Sequence, residues 1–277
     1  MKRCQTILLL VLAALLAGNA AADLRTDKDI IAEIDRNPIV RVRGNVEIRS
    51  AAACLSDSDL DDFAGLAAKG VRDIARFTGL PAPRRIVIEV SPRVEISHTY
   101  PHFPASADHA PRSFIDSARI ANHSAPYLHE LVHAVAGNGG AMWLEEGFAE
   151  WVASSVASQD GGYYAPVLSK PNDEIGAQAR AVLEHSRAGT ETNAWFTSAG
   201  APDFATQRER RGFYIVSHSF TKFLAQTLGT RKLVRIHRQN DIHSLARISG
   251  IPIEEWEQRW RLSLGEGVSS ARLSRRR

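Results

Sequence analysis

Two histidines separated by three residues carry the clearest chemistry in this sequence. His129 and His133 flank Glu130 in the run HELVH, and a spacing of four places two side chains one above the other on one helix face. Two imidazole nitrogens so placed can bind one metal ion, and zinc accepts nitrogen and oxygen ligands in tetrahedral geometry. Glu130 lies one position round the helix, within reach of a water beside the metal. We therefore expect one zinc ion per chain, held by His129 and His133, with Glu130 as the general base.

A second acidic segment follows closely. The run WLEEGFAEW begins at Trp143, ten residues after His133, which is far enough for the chain to turn and return beside the first helix. Glu146 and Glu150 share a helix face, whereas Glu145 points about 100° away. We assign Glu146 as the third zinc ligand and Glu150 as the carboxylate that orients a ligand histidine through its other nitrogen. The alternative is that all three are solvated surface carboxylates.

The two motifs together resemble a known enzyme family. HELVH followed by WLEEGFAEW is similar to the motifs of the gluzincin zinc metallopeptidases of the MA clan, in which the glutamate before the glycine is the third ligand. That position is Glu146, and the short interval before it resembles the compact bacterial peptidases of the MA-like superfamily. The resemblance continues in FYIVSHSF from Phe213 and in GIPIEEWEQRW from Gly250, and covers roughly residues 46–264.

The resemblance implies a zincin-like fold and an enzyme that hydrolyses peptide bonds. Tyr214 matches the tyrosine that donates a hydrogen bond to the oxyanion in related gluzincins, while the alternative is an ordinary packed tyrosine. His218, one helical turn further on, is a second candidate for the same cleft. The GAMEN run of exopeptidases is absent from the sequence, so recognition of a substrate amino terminus has no support.

Hydrophobic patterns upstream predict a small sheet. Asn45–Ser50 alternates apolar and charged residues, and Arg85–Val90 is rich in β-branched residues, as strands are. Between them, apolar residues at helical spacing run from a cap at Ser56 to Gly79. The order strand, helix, strand is typical of an α+β fold.

The chain before the zinc helix has only short or irregular patterns. Residues 97–109 contain three histidines and two prolines and are expected to form an irregular loop. Phe114–Ile115 and Ala118–Ala121 are predicted to be short strands. Because extended peptides dock on sheet edges, we expect the substrate to add a strand beside Ala118–Ala121.

The zinc helix is predicted to begin near Ser124 and Pro126 and to end at Gly137, with a second helix from Met142 to about Ala157. The chain from Ala177 onward is mainly helical in pattern. The predicted fold class is therefore α+β and zincin-like: a small sheet, the HExxH helix and a helical C-terminal half.

The termini predict an exported protein, periplasmic or secreted. Residues 1–22 combine a basic start, an apolar run of twelve residues and a small-residue cleavage site, as signal peptides do. A membrane anchor is the alternative, but its apolar run would need about 20 residues. We expect residues 23–44 to form an extended lead-in, residues 45–265 the peptidase domain and residues 266–277 a basic disordered tail.

The net charge and the cysteine content bear on which partners and which disulfides the protein can have. The formal charge of +3 falls to +1 without Lys2 and Arg3, and subtracting the four arginines that follow Gly267 leaves −3 for residues 23–267. Four arginines without interleaved aromatic residues are a weak nucleic-acid footprint. We expect a peptide or protein substrate, no nucleic acid and no stable membrane insertion after signal cleavage. Cys54 would be the one cysteine of the mature chain, so no internal disulfide is expected.

Two other functions fit the same motifs. A catalytically inactive zinc scaffold that binds a partner is disfavoured because Glu130 is retained. A zinc hydrolase that cleaves cell-wall crosslinks or another non-peptide amide would need the same residues, and the sequence leaves that alternative open.

Overall fold

The computed structural model describes residues 25–51, 54–104, 107–138, 140–157, 174–185, 195–197, 204, 206–239 and 241–265. The predicted signal peptide and basic tail lie outside these ranges. Over the described residues the fold is α+β, with a small mixed sheet followed by a helical second half. None of the helices in this part of the chain is long and apolar enough to cross a membrane.

The sheet has five strands in the order β1-β2-β3-β5-β4. Their bounds are β1 Pro38–Arg43, β2 Val46–Ala51, β3 Ile86–Ser91, β4 His98–Tyr100 and β5 Arg112–Asp116. The inner pairs β2–β3 and β3–β5 are parallel, and the edge strands β1 and β4 pair antiparallel. Every residue of β3 is buried because both faces of the central strand are covered, which explains its continuous apolar run.

Eleven helical segments are described. Their bounds are α1 25–36, α2 Asp57–Thr78, α3 Ser117–Ala121, α4 Tyr127–Ala136, α5 Met142–Ala157, α6 Ile175–His185, α7 195–197, α8 Gln207–Leu228, α9 Thr230–His237, α10 Ser244–Ser249 and α11 Ile253–Ser263. The predicted cap of α2 is confirmed, since the Ser56 side chain accepts a hydrogen bond from Asp59 N and Gly79 ends the helix with φ 71°. The bounds of α5 also agree with the prediction.

The two faces of the sheet are covered by different helices. Ile115 on β5 belongs to the main core, which the sheet forms with α2, α4 and the helical half. Phe114, the preceding residue, points to the other face and packs with Ile30 and Ile34 of α1. This alternation follows from the two-residue period of a strand.

The predicted extended lead-in is wrong for most of its length. Residues 25–36 form α1 and residues 38–43 form the edge strand β1, so this segment is part of the domain. The physical reason is tertiary: Ile30 and Ile34 are one helical turn apart and almost fully buried against the otherwise open face of the sheet.

The predicted strand at Ala118–Ala121 is also wrong, because this segment belongs to α3. The Asp116 side chain accepts a hydrogen bond from Ala118 N and starts a helix directly at the end of β5. The edge strand on this side is instead β4, which lies within the predicted loop 97–109. The predicted docking of a substrate strand beside Ala118–Ala121 therefore has no strand to use.

Candidate metal centre

The HELVH motif lies on α4, a short helix in which every residue from Tyr127 to Ala134 is buried. Leu128, Leu131 and Val132 fill the main core, and this packing turns His129 and His133 toward a cavity on the other side. The helix begins at Tyr127, with Pro126 at its cap position, and ends at Gly137 with φ 74°. A residue without a side chain adopts that backbone readily, so the chain can turn there toward α5.

The three expected ligands meet at one point. His129 Nε2 lies 3.0 Å from His133 Nε2 and 3.2 Å from Glu146 Oε2, and His133 Nε2 lies 3.8 Å from the same oxygen. Ligands about 2.0–2.1 Å from a tetrahedral zinc ion would be separated by about 3.3 Å. The group His129, His133 and Glu146 could therefore hold a metal ion, as the spacing of the sequence predicts.

The electrostatics of this triangle favour a cation. Burial alone would lower the pKa of His129, but the Glu146 and Glu150 carboxylates outweigh burial and raise it well above its ordinary value. Burial would raise the pKa of Glu146, yet the two imidazoles lower it far below its ordinary value. Glu146 is thus ionised at neutral pH, and positive charge is stabilised between the three side chains.

Glu150 lies behind the first histidine, where the sequence places it. Its side chain is fully buried, and Glu150 Oε1 is 3.0 Å from His129 Nδ1. Glu145 lies outside the triangle, with Oε1 4.0 Å from His133 Nδ1. The three neighbouring carboxylates therefore occupy different places, with Glu146 in the candidate ligand triangle, Glu150 buried behind His129 and Glu145 on the cavity wall.

Glu130 is held by a residue that the sequence did not indicate. The hydroxyl of Thr99 on β4 lies 2.9 Å from Glu130 Oε2 and 2.8 Å from the hydroxyl of Ser113 on β5. A carboxylate only accepts hydrogen bonds, so Thr99 donates to Glu130 and the Ser113 hydroxyl is left to donate to Thr99. The sheet thus fixes the orientation of the expected base.

Tyr214 reaches the cavity because α8 packs closely on α5. At Gly147, an added Cβ would lie 2.4 Å from both Ser217 O and Thr221 Oγ1, so only glycine permits this approach. Tyr214 lies one turn before Ser217 and its ring centroid is 6.4 Å from that of His129. Burial and the nearby Glu146 carboxylate raise the pKa of Tyr214 far above its ordinary value, so the phenol keeps its proton and can donate a hydrogen bond.

His218 does not share this position. Its side chain is fully buried, and it is absent from the described lining of the cavity. Burial lowers the pKa of His218 to about 4, so the ring is neutral at pH 7. Tyr214, rather than His218, is the residue of α8 that faces the candidate metal ligands.

The cavity has a volume of about 420 Å³ and is lined by the segment 95–99, by α3, α4 and α5, and by the first turns of α8. It contains two arginines, Arg119 and Arg210, and a fourth carboxylate, Glu95, besides Glu130, Glu145 and Glu146. Five residues predicted from the motifs therefore line one open cleft between the sheet and the helical half, namely His129, Glu130, His133, Glu146 and Tyr214.

Comparison with models of protein families finds no match, and comparison with curated proteins finds no significant relative. What the chain does is therefore inferred from the chemistry of this cleft.

A second group of residues beside the cleft was not visible in the sequence. Asp27 of α1 is buried and its Oδ2 lies 3.0 Å from His98 Nε2 and 2.7 Å from the Tyr100 hydroxyl. These contacts join α1 to β4, the strand that carries Thr99. They link residues about 70 positions apart, so no local pattern could have indicated them.

Proposed function

We propose that this protein is an exported, zinc-dependent metallopeptidase with a zincin-like fold. The observation that carries the proposal is the convergence of His129, His133 and Glu146 within 4.8 Å of one another at the base of an open cleft. Glu130 and Tyr214 line the same cleft and supply the two further groups that peptide hydrolysis needs.

A zinc ion bound by these three ligands would polarise a water and the substrate carbonyl. Two nitrogens and one oxygen suit zinc, and three protein ligands leave a position open, as catalytic zinc sites do. Glu150 would keep the His129 ring in the orientation that presents Nε2 to the ion.

The protein side chains would divide the remaining work. Glu130, oriented by Thr99, accepts the proton of the attacking water and delivers it to the leaving amine. Tyr214 keeps its proton and donates a hydrogen bond to the oxyanion without adding a charge. The substrate chain would lie extended along β4, which is an edge strand of the sheet over the described residues and borders the cavity.

The first test is metal content with a matched pair of variants. Protein purified without added metal should contain about one zinc per chain, and Glu146→Gln should lose it, whereas Glu145→Gln should keep it. Elemental analysis decides the result. Retention of zinc by Glu146→Gln, or its loss from Glu145→Gln alone, would remove Glu146 from the ligand set.

The second test is hydrolysis. Wild-type protein should cleave a peptide library, as measured by mass spectrometry of the products, and a chelator should abolish cleavage until zinc is restored. Glu130→Gln is the control for a contaminating peptidase, since this variant should bind zinc without cleaving. Equal cleavage by wild type and Glu130→Gln would refute the proposal.

A further inference from the structure

Helix α8 presents three polar side chains to the cleft in a row. Gln207, Arg210 and Tyr214 are spaced by three and four residues, so they share one helix face, and all three line the cavity. Arg208 and Arg211 on the same turn are exposed and take no part in the described lining. Arg210 is therefore the arginine of this basic turn that faces the candidate active site.

The Arg210 guanidinium lies over one aromatic ring, that of Phe204. Its guanidinium carbon lies 5.9 Å from the ring centroid of Phe204, and Phe204 packs at 5.3 Å on the buried ring of Phe213. A stacked guanidinium keeps its N–H donors free at its edge. Among the residues that the structure describes, no carboxylate forms an ion pair with Arg210.

Two of the four carboxylates that line the cleft are engaged elsewhere. Glu130 accepts from Thr99, and Glu146 lies between the two histidines. Arg210 is half-buried and pairs with no carboxylate of the described residues, so an incoming carboxylate would offset part of the desolvation cost of its charge.

The distance between Arg210 and Tyr214 sets how far along a bound peptide a carboxylate would lie from the reacting bond. Residues one helical turn apart are about 6 Å apart, so Arg210 lies about that far along α8 from Tyr214. An extended peptide advances about 3.3 Å per residue. A side chain held by Arg210 therefore belongs to a residue within about two positions of a carbonyl held near Tyr214.

We propose that Arg210 makes this cleft selective for peptides with an aspartate or glutamate within about two residues of the scissile bond. The inference rests on the proposed peptidase function and names its substrate class. A guanidinium binds a carboxylate through two parallel N–H···O bonds, which an amide of the same shape cannot match. Gln207, one turn before Arg210, adds an uncharged donor beside it.

The cleavage test compares two variants of the same turn. Product mass spectrometry on a random peptide library should show Asp and Glu enriched at one position near the cleavage site for wild type and for Arg211→Gln. Arg210→Gln should lose that enrichment. On peptides that differ only by Glu or Gln at that position, kcat/KM should fall about 10- to 100-fold for the Glu peptide in Arg210→Gln and change little for the Gln peptide.

A binding measurement separates this inference from the proposed function. Glu130→Gln protein is titrated with fluorescent octapeptide pools rich in Glu or, in the same proportion, in Gln. Tighter binding of the Glu pool by Glu130→Gln, absent from the double variant that also carries Arg210→Gln, supports the inference. This holds even if wild type cleaves no peptide, a result that would refute only the peptidase proposal. Cleavage without acidic preference would overturn the inference and leave the peptidase standing. Loss of acidic preference in Arg119→Gln but not in Arg210→Gln would also overturn the inference.

Discussion

At the scale of residues, the candidate site depends on the environment that each carboxylate meets. Glu146 lies between two imidazoles, Glu150 is fully buried behind one of them, and Glu130 faces a threonine hydroxyl. The three side chains are chemically identical. Their expected duties differ because their hydrogen-bond partners and burial differ.

Glu130 and Tyr214 should affect turnover to different extents. Glu130→Gln removes the expected proton acceptor. If no other base substitutes, turnover should fall by more than the 10²–10⁴-fold that general acid–base catalysis typically contributes, roughly to the level of detection. Tyr214→Phe removes one oxyanion donor, so kcat should fall by roughly 10²–10³ with KM little changed. Steady-state kinetics with parallel zinc analysis measures both. Wild-type turnover by Tyr214→Phe would mean that Tyr214 only packs.

Thr99 is expected to act through Glu130 as a positioning residue. Thr99→Val removes the hydrogen bond that orients the carboxylate, and kcat should fall about tenfold while KM and zinc content stay unchanged. Thr99→Ser keeps the hydroxyl and should restore kcat to near the wild-type value. If valine and serine give the same kcat, the hydroxyl has no part in orienting the base.

At the scale of elements, the close contact of α5 with α8 brings Tyr214 to the site. Gly147→Ala would place a methyl 2.4 Å from the backbone oxygen of Ser217, so the helices must separate. We expect a loss of about 1–3 kcal/mol in unfolding free energy and reduced kcat, since overpacked helices shift their side chains.

A matched substitution isolates this effect from helix propensity. Gly65 lies in α2 with nothing within 4 Å of an added Cβ. Gly65→Ala should therefore raise the unfolding free energy by about 0.5–1 kcal/mol. Urea denaturation of both variants gives the comparison, and stabilisation by Gly147→Ala would show that the helices are not in the contact described.

The stability that the His98–Asp27 contact between α1 and β4 contributes should depend on pH. Burial would lower the pKa of His98, but its hydrogen bond with Asp27 and the carbonyl of Ile96 raise it above 6.5. Protonated His98 therefore stabilises the fold below about pH 6.5, and this contribution is lost as pH rises through the folded-state pKa.

His98→Phe tests this dependence while keeping the ring that stacks on Phe114 at 5.0 Å. The difference in unfolding free energy between wild type and His98→Phe should shrink as pH rises from 6 toward 9 in urea titrations. Asp27→Asn, which removes the charge that His98 faces, should flatten the same curve. A difference that is constant with pH would exclude His98 as the titrating group.

The sequence predicted the long elements and the motif residues but not the short elements that support them. The α2 cap, the bounds of α5 and the meeting of His129, His133 and Glu146 follow from local spacing. The strand β4 has three residues, too few for a periodic pattern, and it exists because β5 pairs with it. Ala118–Ala121 was mistaken for a strand because a single side chain, Asp116, decides its conformation.

At the scale of the whole molecule, the cleft lies where two differently built halves meet. The sheet contributes Thr99, α4 contributes Glu130 and the two histidines, and the helical half contributes Tyr214 and Arg210. Because α1 covers the far face of the sheet, the body is closed on that side and open to solvent at the cleft. In the part of the chain that the structure describes, this cavity is open to solvent beside the candidate metal ligands.

The three candidate ligands all lie between residues 129 and 146, on two consecutive helices. Short loops close with little entropy, so this hairpin should be assembled early when the chain refolds. Thr99 and Tyr214 join it from far along the chain and should arrive last. During refolding with zinc present, metal uptake followed by a chromogenic indicator should therefore precede peptidase activity, and simultaneous appearance would exclude this order. Metal content is consequently a poor measure of how much of a preparation is native.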